Sequence, residues 1–218
     1  MKRTERHHLK EDEMAHGVHW LVAFYEKYKR EITLVAGAVV LALAVFGGLL
    51  LVRSHTQSLQ NKAIGEVTAL SAQLEAKPGL AAELDKLAAK GRGSRLAGLE
   101  LARFYAEQGD WAKADSYLTR IPSAPQDLIY FQVQDLRGQV AVGRKDFDGA
   151  IAIYKKVLDA KPKVYPLDAA LYHLARAQEL KGDIAAAVET YKKLQAEYPQ
   201  SYYGYDASLK AGKLEARR

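Results

Sequence analysis

The side chains that could do covalent or metal chemistry are few. Cysteine is absent from the 218 residues, which excludes disulfides, thiol catalysis, thiolate zinc sites and a lipid-modified cysteine. His7 and His8 stand together, and His16 and His19 share a helical face, but no further ligands follow at the spacing a metal site requires. His173, the one histidine beyond His55, falls in an alanine- and leucine-rich helical stretch and reads as a core-edge residue. The stretch GRGSRLAG at 91–98 is glycine-rich, yet it lacks the lysine-serine ending of a phosphate loop and precedes a helix rather than following a strand. Its glycines break the chain between helices. No nucleophile is paired with a base and no two carboxylates are placed for acid–base work, so the expectation is a non-enzyme with no catalytic, cofactor or metal residues. The net charge of +6 is spread along the chain without a basic block, which argues against nucleic acid as a partner.

The elements around these residues explain the lack of chemistry. Ile32–Val52 is an uncharged run that, at ~1.5 Å per helical residue, reaches about 30 Å, the thickness of a hydrocarbon core. It is too long for the apolar stretch of a signal peptide, and Arg53-Ser54-His55 stands where a cleavage site would be. The expectation is therefore a single-pass anchor. Lys27, Lys29 and Arg30 crowd its N-terminal edge, against Arg53 and then Lys62 on the other side. By the positive-inside bias, residues 1–31 are a cytoplasmic tail and residues 53–218 lie outside the cytoplasm. In the tail, Met14, Val18, Leu21, Tyr25 and Tyr28 recur at helical spacing beside Trp20 and Phe24. The segment reads either as an interfacial helix on the inner leaflet or as a plain extension of the membrane helix. Ala38 with Ala42, and Ala44 with Gly48, are small-residue pairs through which spans could associate, leaving a homo-oligomer open.

Residues 53–94 form a helical preamble interrupted by Pro78-Gly79, and then a pattern repeats. GDWAKADSYLTRIP, RKDFDGAIAIYKKVLDAKP and GDIAAAVETYKKLQAEYP superpose Trp111, Phe147 and Ile184; Ala114, Ala150 and Ala187; and Leu118, Tyr154 and Tyr191. The alanines recur at steps of 36 and 37 residues, the signature of a helical repeat array. The small alanine lets two helices approach and the aromatic wedges between them, so these positions are repeat packing. Three repeats are expected, at 95–130, 131–167 and 168–201, with a solvating cap helix at 202–218 in which Tyr202, Tyr203 and Tyr205 either close the core or form an exposed rim. The fold class is all-α: one transmembrane helix followed by an α-solenoid of helical hairpins.

This pattern resembles the tetratricopeptide repeat, closely in the second helix of each pair and more loosely in the first. Stacked pairs of this kind curve, and their inner helices offer a groove to an extended peptide or a partner helix. The repeat alignment assigns Leu99, Arg103, Asp135, Gln139, Tyr172, Arg176 and Glu179 to that groove. An N-terminal anchor, a helical preamble and such repeats, most distinctively Lys90–Leu118, also resemble the YfgM-type ancillary subunits of the bacterial Sec translocon. The resemblance implies a single-pass inner-membrane protein whose periplasmic repeats contact translocon subunits, periplasmic chaperones or emerging chains. The C-terminal repeats are similar as well to those of envelope assembly proteins, so an envelope or division-complex scaffold is the alternative. A cytosol-facing repeat receptor follows if the orientation is reversed.

Overall fold

The computed structural model describes the backbone of residues 3–216, and the side chains of residues 22–216 except those at 23, 32 and 36. Among the described residues the chain is all-α without a strand: α1 (Arg3–Ser71), α2 (Ala81–Ala89), α3 (Ser94–Glu107), α4 (Trp111–Arg120), α5 (Leu128–Gly143), α6 (Phe147–Ala160), α7 (Leu167–Lys181), α8 (Ile184–Glu197) and α9 (Tyr202–Glu215). Two compact units result, Met1–Ser58 and Leu59–Arg218.

In the first unit, helical geometry is interrupted at Tyr28, whose φ of −115° and ψ of 15° mark the junction of two helices. Beyond it the helix is long and apolar enough to cross a membrane, and it is compatible with a membrane anchor. Among the described residues its large apolar side chains are exposed: Leu41 is 69% exposed and Leu51 72%. Such surface costs about 25 cal/mol per Å² in water, a cost that hydrocarbon removes. Helical geometry does not stop at Val52 but continues to Ser71, because the polar residues after Arg53 include no glycine or proline before Gly65. The side chains of His7, His8, Met14, His16, Val18, His19, Trp20, Leu21 and Ile32 lie outside the described residues.

The second unit is a stack of helical hairpins. Val67 and Leu74 meet Leu84 of α2 and Ala97, Leu101 and Phe104 of α3, so the preamble shares a core with the first repeat. Pro78–Leu80 forms a 3₁₀ turn leading into α2. Ala114, Ala150 and Ala187, with no exposed surface, sit where α4, α6 and α8 cross their preceding helices. Leu118, Tyr154 and Tyr191 are buried one turn later, while Trp111, Phe147 and Ile184 are half-buried at the hairpin bends.

The bends share one construction. Gly109, Lys145 and Gly182 take φ of 74°, 63° and 89° at the end of each first helix. That left-handed residue lets the next amide, of Asp110, Asp146 or Asp183, donate to the carbonyl five residues back. The same aspartates cap the second helix, their carboxylates accepting from the amides of Lys113, Gly149 and Ala186. Lys145 occupies without glycine a conformation that glycine adopts freely.

α9 buries Gly204, Ala207, Ala211 and Leu214 against the last hairpin. The tyrosine cluster is divided: Tyr203 packs inward, whereas Tyr202 and Tyr205 are 82% and 69% exposed.

Candidate functional site

The first helices of the hairpins, α3, α5 and α7, together with the start of α9, line a concavity of about 890 Å³. Aligned positions explain how. Arg103, Gln139 and Arg176 occupy one register of the three helices, and all three line the concavity. The register one turn earlier is Leu99, Asp135 and Tyr172, and here the structure separates residues that the alignment grouped. Asp135 faces the concavity. Leu99 does not: it is fully buried, packed with Leu118, Ile121, Val133 and Leu136, because α5 and the end of α4 cover that turn of α3. Tyr172 is turned toward α9, where its hydroxyl donates to Asp206 Oδ2 at 2.6 Å and its ring lies 4.9 Å from that of Tyr203. Glu179 is engaged in packing as well, accepting from the Tyr191 hydroxyl at 2.9 Å with Lys210 Nζ 3.6 Å away. Leu99, Tyr172 and Glu179 are thus corrected from groove wall to core or helix-to-helix contact.

Other residues take their place. α7 presents Ala169, His173 and Arg176, and the loop before it contributes Tyr165 and Pro166. Tyr154 and Trp111, predicted as packing residues, do both: each wedges between helices and shows an edge to the concavity. The reason is glycine. A Cβ at Gly138 would stand 2.4 Å from Cζ of Tyr154, and one at Gly143 would stand 2.5 Å from Cε2 of Trp111. With no side chain there, the rings lie flat across α5, and the Tyr154 hydroxyl donates to the Asp135 carbonyl at 3.1 Å.

The polar centre of the concavity is Asp135. Gln139 Nε2 donates to its Oδ2 at 2.8 Å, whereas its Oδ1 is buried without a hydrogen-bond partner, with His173 Nε2 at 3.8 Å. His173 stacks on Tyr154 at 5.6 Å between centroids, with Tyr203 edge-on at 6.0 Å. Burial holds the His173 imidazole below its ordinary range; Asp135 opposes that shift and Arg176 adds to it. Burial, followed by the charge of Asp135, pushes the phenols of Tyr154, Tyr165 and Tyr203 up. These tyrosines stay neutral and serve as rings and hydrogen-bond donors. Arg103 is held by Glu100 at 3.1 Å.

Two family models described as tetratricopeptide repeat match the sequence, over residues 99–127 and 141–211. The chain carries tetratricopeptide repeats. The second match runs from the end of α5 into α9. No curated protein and no solved structure matches the chain. Tetratricopeptide repeats generally bind protein partners, and the concave face described above is where the inner helices of these repeats are open. Among the described residues, no group of three or more histidine, aspartate or glutamate side chains could hold a metal ion.

Sequence reasoning missed Tyr165 and His173 as groove residues. Tyr165 stands in a loop, where helical periodicity carries no information. The signal for His173 is a polar side chain aligned with Leu136, a position that is apolar one repeat earlier.

Proposed function

We propose that the protein is a membrane-anchored adaptor whose repeats, held outside the cytoplasm of a bacterial inner membrane, bind the Sec translocon, periplasmic folding factors or exported chains in their concave face. The observation that carries this reading is the coexistence, on one chain, of an exposed apolar helix and a repeat groove with polar and aromatic walls. Tethering raises the local concentration of the groove at the membrane and turns a dilute encounter into an almost intramolecular one. The excess of Lys27, Lys29 and Arg30 over Arg53 supports the orientation, and the resemblance to YfgM-type subunits supports the choice of partner.

Co-purification of the full chain from mild detergent tests the partner. Recovery of translocon subunits is the expected result, and their absence from preparations with intact repeats overturns the translocon version. Protease added to intact spheroplasts tests the orientation: a C-terminal tag should be digested without lysis. Protection until lysis would replace this reading by a cytosol-facing receptor.

A further inference from the structure

Reading the concave face as a peptide groove, on which this inference rests, leaves in it one carboxylate whose only partner at ion-pair distance among the described residues is a histidine held neutral. Asp135 Oδ1 is buried and has no hydrogen-bond partner, although a buried carboxylate oxygen ordinarily has one. The closest cationic candidate is His173 at 3.8 Å, which burial keeps in its neutral form. Arg176 also lines the concavity, but its influence is secondary: at Tyr154 and at His173 the effect of Asp135 exceeds that of Arg176. At Tyr165, whose hydroxyl lies near enough to interact with the Asp135 carboxylate, and at Tyr203, Asp135 leads the neighbours that add to burial. Asp135 therefore places a carboxylate at the centre of the groove, walled by aromatic rings. The Asp135 side chain keeps 17% of its surface open, and the group covering its other oxygen is the amide of Gln139, an exposed side chain free to swing away.

We propose that the groove seats a basic side chain, lysine or arginine, of an extended peptide on the Asp135 carboxylate, flanked by the rings of Tyr154, Tyr165 and Tyr203. The arriving cation displaces the Gln139 amide and forms a charge-assisted hydrogen bond with the carboxylate, its alkyl stem lying beside the rings. An acidic or carboxylate-terminated peptide would meet the wrong sign at this point.

The test uses the full chain in detergent micelles and short peptides selected on it from a random phage-displayed library. Their fluorescein-labelled synthetic forms are measured by fluorescence anisotropy. Gln139→Trp fills the groove and identifies the peptides that bind there. The proposal expects these peptides to share a lysine or arginine at one position. Asp135→Asn, and replacement of that residue by norleucine, should each weaken binding about tenfold, and together little more than either alone. The peptide-side change provides the reading should Asp135→Asn unfold the repeats. Groove peptides without a basic residue and indifferent to Asp135→Asn, or weakened only by Arg176→Gln, overturn the proposal and leave the groove standing. Selected peptides that all ignore Gln139→Trp overturn the groove and this proposal together.

Discussion

Gly138→Ala adds one methyl group where α5 packs against α6. The new Cβ would lie 2.4 Å from Cζ, 2.6 Å from Cε2 and 2.6 Å from the hydroxyl oxygen of Tyr154, all inside van der Waals contact. Tyr154 is only 1% exposed, so its ring has no free space to enter. Overpacking of this kind costs about 1–3 kcal/mol. Loss of the hydrogen bond to the Asp135 carbonyl adds about 1 kcal/mol, and the better helix propensity of alanine returns about the same amount. The net expectation is a destabilisation of about 1–3 kcal/mol, or roughly 2–12 °C in Tm for a unit of this size. The first repeat supplies the rescue: the aligned pair there is Ala102 with Leu118, both fully buried. Gly138→Ala combined with Tyr154→Leu should accordingly be less destabilising than the sum of the two single changes. Thermal melts followed by circular dichroism on the full chain measure all three. A neutral or stabilised Gly138→Ala, or strict additivity in the double variant, would refute the claim that the glycine exists to admit the ring.

Three further outcomes follow from the same geometry. Asp146→Ala and Asp183→Ala each remove a helix cap and should cost about 1 kcal/mol, read from the same melts. Lys145→Gly relieves a left-handed residue that the other two bends give to glycine, so it should raise Tm while Gly182→Ala lowers it. His173 is held neutral by burial, below the ordinary imidazole value of 6.5, so as pH falls through that value the unfolded chain takes up a proton that the folded chain refuses. Stability contributed at this position is thus lost on acidification below about 6.5, and His173→Gln should melt with a smaller drop between neutral and mildly acidic pH than the parent protein.

Periodicity made the hairpins legible, because Ala114, Ala150 and Ala187 mark helix crossings and their aspartate-bearing bends cap the helices that follow. The groove was legible only in part. Alignment treats Leu99, Asp135 and Tyr172 as equivalent, but each first helix meets different neighbours: α5 covers Leu99, and α9 draws Tyr172 away. The register of Arg103, Gln139 and Arg176 lies one turn further along, where no helix covers it, and there the alignment places all three on the groove. Tyr165 was beyond reach, since a loop residue's position depends on tertiary contact rather than on periodicity. The continuation of α1 to Ser71 was obscured by a change of solvent preference after Val52 that leaves helix propensity intact.

The central claim is that the concave face holds a protein partner. A photo-cross-linking amino acid placed at Gln139, on the groove, and in a second variant at Lys193, an exposed residue of the second-helix layer, tests it in intact cells. The account predicts a discrete protein adduct from position 139 that is absent from position 193 and that contains a translocon subunit, a folding factor or an exported chain. Equal adducts from both positions, or none from 139 while the repeats remain folded, would contradict it.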